Sequence, residues 1–384
     1  MMGSSVGTGL MSNMTNLSLA LKRNGLDVAV ISSGKEQGSG LKTKLIENGI
    51  RFYQCENLDG RSPWDIYQGA REIGKIVEKE EIDVIHAQGI GHAVKANLAG
   101  RLHRRVAIVQ SLHTFFGKSD SYDWGYKGKF FLWIAPKLMN RCADVAMPVS
   151  EVIAERLIKA GLSAQKTRPL HNGIDIAEFD ADVASGASQQ VQSLAAKISN
   201  NPSIIYPAVL EPRKGHRYLL EATAIILKEY PETKLIITSN GPLRQELEAM
   251  ASSLNLSNSV SFTGRLSYQD LHWLMSKVTI GTFPSLSELL PMAVLDLMAA
   301  AKPVVATSVD GIPEMVIDRK TGFLVPPKDT KVLAKRIIEL IRDPKAAQRM
   351  GSAGRRVAEK DFAIDVIARK TAEIYELAMT KTKK

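Results

Sequence analysis

The sequence predicts an α/β protein built from two Rossmann-like, doubly wound domains that face each other across a cleft. The chain has 384 residues, about twice the size of a common domain. Short apolar runs rich in β-branched residues alternate with amphipathic stretches, which is typical of parallel sheets covered by helices on both faces. This alternation occurs twice, on either side of a small, polar segment near the middle of the chain. Two consecutive βαβα series therefore indicate two domains.

The first half of the chain predicts strands at Leu26–Ser32, Ile50–Cys55, Ile82–Gln88, Val106–His113 and Asp144–Ser150. The predicted helices between them are Ser12–Asn24, Asp65–Glu80, His92–His103 and Glu151–Ala160. A doubly wound domain normally opens with a strand that leads into a glycine-containing loop. Here Gly3, Gly7 and Gly9 lead directly into the first helix, so we expect the first strand to be missing. A truncated sequence or a misplaced start codon would explain this.

The second half predicts strands at Ser203–Val209, Thr233–Asn240, Ser259–Gly264, Val278–Ser285, Pro303–Val309 and Gly322–Pro326. Its predicted helices are Gly215–Tyr230, Pro242–Leu254, Tyr268–Ser276, Pro291–Ala301 and Thr330–Arg342. We expect an N-terminal domain over residues 1–175, an interdomain connection over 176–202 that holds a helix at Val191–Ile198, and a C-terminal domain over 203–362. Residues 363–384 are expected to form a helix that crosses back to the N-terminal domain and ends in a basic tail.

Composition excludes several classes of protein. Hydrophobic residues make up 45% of the chain and charged residues 23%, as in ordinary globular proteins. The longest strongly apolar run, Phe130–Pro136, is far shorter than the roughly 18 residues that span a bilayer. Cys55 and Cys142 cannot supply a disulfide framework or a metal cluster, and their scarcity fits a reducing compartment. Because no secretory signal is recognisable, we expect a cytoplasmic protein.

The net charge is +10, from 50 basic and 40 acidic residues, which suits nucleic acid, an anionic membrane surface or anionic small ligands. Between Arg101 and Arg141, eight basic residues accompany only Asp120 and Asp123 and are interleaved with aromatic residues. This pattern fits lipid headgroups or single-stranded nucleic acid, and its structural alternative is a solvated helix face above core aromatics. No base-reading module is recognisable, so we do not expect a nucleic-acid partner.

The strongest chemical signal lies in Phe283–Thr307, F-P-S-L-S-E-L-L-P-M-A-V-L-D-L-M-A-A-A-K-P-V-V-A-T. A strand ends at its start, a loop holds Glu288, and a helix beginning near Pro291 carries Asp296. A loop carboxylate can accept hydrogen bonds from sugar hydroxyls, and a carboxylate in the helix can accept them from a ribose diol. Proline at a helix start leaves the remaining first-turn N–H groups available to an anion.

This string resembles the signature of the retaining nucleotide-sugar glycosyltransferases of the GT-B fold, family 4 (glycosyl transferases group 1), in which two acidic residues form an E-x(7)-E motif. Glu288 and Asp296 fall on the two acidic positions. The resemblance covers essentially the whole chain, because further motifs match in the same order: D-V-I-H-A-Q (83–88), S-L-H-T (111–114), P-V-S-E (148–151), H-N-G-I-D (171–175), P-R-K-G-H (212–216), S-N-G-P-L (239–243), F-T-G-R-L (262–266), D-G-I-P-E (310–314) and T-G-F-L-V-P-P (321–327).

The resemblance implies roles for individual residues. The catalytic residues would be His113, Lys214 and Glu288, with the lysine on the donor diphosphate and the histidine near the donor sugar and the acceptor. The donor-binding residues it implies are Arg213, Lys214, Gly241, Arg265, Leu266, Glu288, Leu290, Pro291, Met292 and Asp296. On the acceptor side it implies Gly9, His113 and Asn172.

The resemblance also implies the partners. The donor would be a nucleoside diphosphate sugar, the acceptor a glycan or a lipid-linked molecule, and no cofactor or metal would be needed. Many members of the family glycosylate lipid-linked acceptors at the cytoplasmic face of a membrane. The region from Arg101 to Arg141 is therefore expected to contact an anionic membrane surface, with the protein peripheral to it.

The chain departs from the family pattern at three positions. The arginine that usually accompanies Lys214 is Val209 here, Leu289 replaces the glycine after the first acidic residue, and Asp296 is one methylene shorter than glutamate. These departures leave a second hypothesis open, a catalytically impaired relative that binds a nucleotide sugar or a protein partner. A nucleotide-sugar epimerase that shares the fold is a third. The D-A-D sequence at 180–182 resembles a glycosyltransferase metal motif, but it lies in the expected connection, so we expect a solvated linker there.

Overall fold

The computed structural model describes residues 2–3, 8–33, 41–103, 105–113 and 125–382; for residues 2, 3, 8–10, 41, 127, 128, 131 and 132 only the backbone is described. These residues form two compact units. Unit 1 contains the described residues up to Gly173 and those from Ala363 onwards, and unit 2 contains Ile174–Phe362. Each unit is built on its own parallel sheet.

The strands of unit 1 are β1 (Met2–Gly3), β2 (Ala29–Ser32), β3 (Arg51–Gln54), β4 (Val84–Gln88), β5 (Ala107–Leu112) and β6 (Val145–Pro148). Its helices up to Gly173 are α1 (Thr8–Arg23), α2 (Leu41–Glu47), α3 (Pro63–Lys79), α4 (Ile90–Leu102), α5 (Gly125–Cys142) and α6 (Glu151–Lys159). Local sequence explains where they begin. At the start of α3, for example, Ser62 and Asp65 form a reciprocal capping box and Pro63 occupies the first helical position.

The sheet of unit 1 has the strand order β3-β2-β1-β4-β5-β6. The winding direction reverses between β1 and β4, which makes this pair the topological switch point. The central strand β1 has two residues, and it pairs with Ile31 and Ser32 of β2 and with Ala87 of β4. The expectation of a missing first strand is therefore wrong. Two residues carry no alternating pattern, so a strand of this length gives no signal in the sequence.

The strands of unit 2 are β7 (Ser203–Pro207), β8 (Lys234–Thr238), β9 (Val260–Gly264), β10 (Ile280–Phe283), β11 (Val304–Thr307) and β12 (Gly322–Val325). Its helices are α7 (Ile176–Ser185), α8 (Gln189–Ile198), α9 (His216–Glu229), α10 (Arg244–Ser253), α11 (Tyr268–Lys277), α12 (Met292–Ala299), α13 (Thr330–Arg342) and α14 (Pro344–Val357). The strand order is β12-β11-β10-β7-β8-β9, and the winding reverses between β7 and β10. The carboxyl ends of β7 and β10 therefore lie side by side, which is where ligands bind in open α/β sheets.

The last helix, α15 (Ile364–Thr382), returns the chain to unit 1. Its buried residues Ile367, Ala368 and Ala378 join a core cluster with α1 and with strands of the unit 1 sheet, including Val109 of β5. The opposite face of the sheet packs in a second cluster with α3 and α4. Full burial of a large aliphatic side chain contributes about 1.5–3 kcal/mol, so α15 is an integral part of the unit 1 core.

The structure departs from the sequence prediction mainly in residues 176–202. Each of the eleven predicted strands is present, with ends up to three residues shorter. Residues 176–202, predicted to be a connection with a helix at Val191–Ile198, form α7 and α8, which belong to unit 2. Helices α2, α5, α7 and α14 were not predicted. In α7 the apolar pattern is short, and Phe179 is its buried residue.

We expect Ala368→Asp to unfold or strongly destabilise unit 1, because Ala368 is fully buried between α15 and the sheet. A carboxylate placed there without a partner should cost at least about 3 kcal/mol of unfolding free energy. Lys370→Asp, at an exposed position of the same helix, is the matched control. Urea unfolding of both variants would measure the difference, and equal stability would contradict this account of α15.

Candidate functional site

The residues with the strongest functional signal meet at the switch point of unit 2. Lys214 lies in the loop that follows β7, and Glu288 lies in the loop that follows β10. The two loops touch directly, because the N–H of Leu286 donates to the carbonyl oxygen of Arg213 at 2.7 Å. Strand order thus brings together two residues that are 74 positions apart in the sequence.

Glycine at position 215 allows this close approach of the loops. Pro212–Lys214 form a single 3₁₀ turn, and Gly215 then adopts a left-handed conformation with φ of +67° before α9 begins. A Cβ atom on Gly215 would lie 2.1 Å from the carbonyl oxygen of Pro284. Both the backbone conformation and the contact therefore require glycine here.

Two cations and a hydroxyl surround the carboxylate of Glu288. The ammonium of Lys214 donates to Oε1 of Glu288, and Oγ of Ser285 donates to the same oxygen at 2.9 Å. Nη1 of Arg213 lies 3.7 Å from Oε2 of Glu288. Glu288 is 5% exposed, so these groups offset the free-energy cost of burying its carboxylate.

Burial and the carboxylate act in opposite directions on Lys214. Burial is the larger effect, and it lowers the pKa of Lys214 although Glu288 favours the charged form. The hydroxyl of Tyr206 donates to the carbonyl oxygen of Lys214 at 2.7 Å and lies 3.0 Å from Oγ of Ser285. Tyr206 itself is completely buried. Its hydroxyl therefore links the loop after β7 to the loop after β10. No motif in the sequence indicated this role.

Asp310, in the loop after β11, fixes the loop that carries Glu288. Its Oδ2 accepts hydrogen bonds from the backbone N–H of Glu288 at 2.9 Å and from Oγ of Ser287 at 2.8 Å. Asp310 adopts a positive φ of 45°, which is uncommon for a residue other than glycine. The D-G-I-P-E motif at 310–314 was a signal for this residue, but its partner could not be read from the sequence.

Val209 and Arg213 lie on the same loop and differ in where they point. Val209 is 42% exposed, so an apolar side chain faces solvent at the position where the resemblance implies an arginine. The side chain of Arg213 turns towards Glu288, and its Nε also donates to Oε2 of Glu211 at 3.0 Å. A second cation is therefore present next to Lys214, supplied from a different position.

The remaining donor-side residues of the sequence analysis lie on neighbouring loops of unit 2. Gly241 follows β8 and packs on the β7 loop, where a Cβ atom would lie 2.5 Å from the carbonyl oxygen of Leu210. Arg265 is exposed and Leu266 half-buried directly after β9. The loop after β10 and the start of α12 contain buried Leu290 and half-buried Pro291 and Met292.

Asp296 lies inside α12 and contacts a histidine that the sequence analysis did not single out. Nε2 of His272, on α11, lies 3.8 Å from Oδ1 of Asp296, and Nδ1 of His272 lies 2.7 Å from Oδ2 of Asp182 on α7. Burial raises the pKa of Asp296 to about 6. Burial alone would lower the pKa of His272, but the hydrogen bond to Asp182 and the charge of Asp296 raise it overall.

This contact corrects the interpretation of the D-A-D sequence. Asp182 binds His272, and Asp180 accepts two hydrogen bonds from Arg355 at 2.9 and 2.8 Å. The segment is therefore part of helix α7 within unit 2, and it is not a solvated linker. Within the ranges that the structure describes, no three His, Cys, Asp or Glu side chains come together as a metal site would need.

The residues predicted for the acceptor side belong to unit 1. His113 follows β5 and is half-buried, and burial of its ring lowers its pKa to about 4. Gly9 lies in the first turn of α1, and Asn13 one turn later donates to Oδ1 of Asn172 at 3.1 Å. The structure thus joins the start of α1 to the H-N-G-I-D segment. Nε2 of His113 lies 2.5 Å from Oε1 of Gln88, a residue of the D-V-I-H-A-Q motif to which the sequence analysis gave no role.

Two family models match this chain. The model of glycosyl transferases group 1 matches residues 191–357, and that of Glycosyltransferase Family 4 matches residues 9–178. A glycogen synthase of Mycobacterium tuberculosis (strain H37Rv) is 29% identical over 96% of this chain and 90% of its own length. The GDP-mannose-dependent alpha-(1-6)-phosphatidylinositol monomannoside mannosyltransferase of Mycolicibacterium smegmatis is 27% identical over 74% of each chain.

The fold of this chain also matches that of solved structures. HepE of Anabaena, solved in complex with UDP and glucose, superposes with a TM-score of 0.81 over 98% of both chains at 22% sequence identity. This agreement places the two parallel sheets of the present chain in the GT-B architecture. The E-x(7)-E positions, Glu288 and Asp296, both lie within the part matched by the group 1 family.

Asp296→Asn should flatten the pH dependence of unit 2 stability between about pH 4 and pH 6. The pKa of Asp296 is about 6 in the folded protein against an ordinary 3.8, so its stabilising contribution is complete below about pH 4 and is lost as the pH rises through 6. The difference between wild type and variant should change by up to about 3 kcal/mol across this range. Urea unfolding at several pH values would measure it, with the exposed Glu246→Gln as control. Parallel curves for wild type and Asp296→Asn would contradict the assignment.

Proposed function

This chain belongs to the family 4 glycosyltransferases (glycosyl transferases group 1), and from that premise we propose that it transfers a sugar from a nucleoside diphosphate sugar to an acceptor hydroxyl. The observation that carries the proposal is the cluster of Lys214, Arg213 and Glu288 at the switch point of unit 2. Lysine has three N–H donors, so Lys214 can keep its bond to Glu288 and still bind phosphate oxygens. Glu288 presents a fixed carboxylate to sugar hydroxyls.

The proposed reaction retains the configuration of the sugar and needs neither a metal nor a covalent intermediate. The bond between the sugar C1 and the phosphate oxygen breaks, and the acceptor oxygen bonds to C1 on the same face. The proton of the acceptor hydroxyl passes to the departing phosphate oxygen. The two cations stabilise the negative charge that develops on the diphosphate, and the remaining side chains position the reactants.

The proposed acceptor is a glycan or a lipid-linked molecule. The matched relatives include a glycogen synthase and a phosphatidylinositol monomannoside mannosyltransferase by name, so both acceptor types occur among similar proteins. An exposed aromatic stripe on α5 favours a lipid-linked acceptor. Tyr126, Phe130 and Trp133 are 78%, 61% and 56% exposed, and their spacing of four and three residues aligns them on one helix face.

The α5 stripe combines aromatic rings with positive charge. Nζ of Lys137 lies 3.9 Å from the ring centre of Trp133, and Lys129 is exposed on the same helix. Exposed aromatic rings with adjacent lysines are typical of helices that rest in a membrane interface. Residues 104 and 114–124 of the predicted patch lie outside the described residues. Among the described helices, none has the length and apolar character to span a bilayer.

Lys214→Ala should reduce donor turnover about 10- to 150-fold, since charge-assisted hydrogen bonds contribute roughly 1.5–3 kcal/mol each. Lys214→Arg should lose less, because it keeps a cation near the phosphates. The measurement is transfer from a panel of UDP- and GDP-sugars, together with calorimetric binding of UDP and GDP. The exposed Lys228→Ala, on the same unit, is the control.

Wild-type transfer and donor affinity in Lys214→Ala would overturn the donor-site assignment. Binding of a nucleotide sugar by the wild type without any transfer or hydrolysis would favour the second hypothesis, a catalytically impaired relative. That outcome would point to Val209, which stands where the resemblance implies an arginine. Val209→Arg would then be the variant to test for gained activity.

The protein should sediment with anionic liposomes and not with neutral ones, and high salt should release it. Each basic residue near an anionic surface contributes about 1 kcal/mol, and salt screens this attraction. The Lys129→Glu/Lys137→Glu variant should lose binding. The Lys75→Glu/Lys159→Glu variant, with the same charge change elsewhere on unit 1, should keep more of the wild-type binding. Equal sedimentation with neutral liposomes, or none with anionic ones, would contradict the proposed membrane contact.

A further inference from the structure

Four polar side chains form a connected group on one face of the unit 1 sheet. Side chains alternate along a strand, so His86 and Gln88 of β4 point to the same face, as do Ser111 and His113 on and after β5. The register pairs Gln88 with Ser111 and His86 with Val109. Gln88 therefore lies next to Ser111. It is also within reach of His113, which follows Ser111 by two residues on the same face.

The distances show a continuous chain of hydrogen bonds from α15 to His113. The hydroxyl of Tyr375 lies 2.8 Å from Nδ1 of His86, and Oγ of Ser111 lies 2.6 Å from Nε2 of His86. The amide nitrogen of Gln88 lies 3.3 Å from the same Nε2. Its amide oxygen lies 2.5 Å from Nε2 of His113. His86, Gln88 and Ser111 are all buried, so these bonds form away from bulk water.

The chemistry of the amide assigns the proton positions along this chain. The amide nitrogen of Gln88 can only donate, so Nε2 of His86 accepts and its Nδ1–H donates to Tyr375. The amide oxygen of Gln88 can only accept, so Nε2 of His113 carries the proton. The remaining nitrogen of His113, Nδ1, then holds a lone pair. Burial lowers the pKa values of both imidazoles, to about 3 for His86 and about 4 for His113, which keeps both rings neutral near pH 7.

We infer that Gln88 is a positioning residue of the transfer site, which holds His113 as the Nε2–H tautomer so that Nδ1 accepts a hydrogen bond from a sugar hydroxyl. The inference rests on the proposed function for the identity of the hydroxyl. The tautomer itself depends only on contacts within unit 1. Tyr375 anchors the other end of the chain, so the last helix helps to fix the side chain that the resemblance places near both substrates.

The competing explanation is that Gln88 only satisfies buried polar groups. The two explanations differ in what they predict for isosteric changes. Gln88→Met removes both hydrogen bonds and keeps the volume. Gln88→Glu keeps an oxygen that accepts from Nε2–H of His113, but its negative charge favours a protonated ring. A structural role would be lost in both variants, whereas a positioning role should survive in Gln88→Glu at high pH.

The test combines imidazole NMR with steady-state kinetics on the full chain. Nitrogen-15 NMR should show His113 as the Nε2–H tautomer in the wild type and as a mixture of tautomers in Gln88→Met. Loss of one orienting hydrogen bond should lower kcat about three- to tenfold in Gln88→Met, with the KM for the donor changed less than about twofold. In Gln88→Glu, an opposite charge in contact raises a histidine pKa by about 1–3 units. Its kcat should therefore approach that of wild type near pH 8 and fall towards pH 5, where the wild type stays active.

Gln110→Met provides the matched control. Gln110 is a fully buried glutamine of β5 on the other face of the sheet, and its side chain has no hydrogen-bond partner among the described residues. Its replacement should leave the His113 tautomer and kcat unchanged, and thermal unfolding would show that each variant folds.

Two results would overturn the inference: a wild-type tautomer in Gln88→Met, or a pH profile of Gln88→Glu that matches the wild type. If the wild type transfers no sugar from any donor, the proposed function fails instead, and the NMR result still decides the role of Gln88.

Discussion

A buried carboxylate organises the site of unit 2. Glu288 is held where two loops meet, and a charge removed from water must be compensated by nearby cations and hydrogen-bond donors. Lys214, Arg213 and Ser285 provide this compensation. The strand order brings their two loops together, and Gly215 allows the close approach. The hydroxyl of Tyr206 forms hydrogen bonds with both loops. The site therefore owes its geometry to the switch point of the sheet.

The sequence predicted the elements of this site better than their contacts. Apolar runs located the predicted strands because buried parallel strands are apolar on both faces. The family resemblance singled out Lys214, and the string Phe283–Thr307 singled out Glu288. The contact between them depends on the crossover of the sheet, which no local pattern encodes. His272 gave no signal, because one histidine on an amphipathic helix is common, and its partner Asp182 lies in a segment too short to show a helical period. Arg213 was expected to bind the donor, and only the structure shows that its side chain turns towards Glu288.

The two units use the same architectural rule for different chemistry. In unit 2, the loops at the switch point gather charge. In unit 1, the ends of β4 and β5 carry hydrogen-bonded polar side chains, and burial lowers the pKa of one of them, His113. A neutral imidazole suits contact with hydroxyl groups, whereas the ammonium and guanidinium groups suit contact with phosphate.

The return of α15 to unit 1 has a consequence for biosynthesis. A ribosome makes the chain from the N-terminus, and domains generally fold as units while they emerge. The residues of unit 1 up to Gly173 precede unit 2 in the chain, but the core of unit 1 lacks α15 until Ile364–Thr382 have been made. Unit 2 is complete once Phe362 has emerged. Unit 2 can therefore be complete before unit 1. The apolar face of α1 lacks its contacts with α15 until that helix has been made. A nascent chain that stalls before α15 would present that face to chaperones.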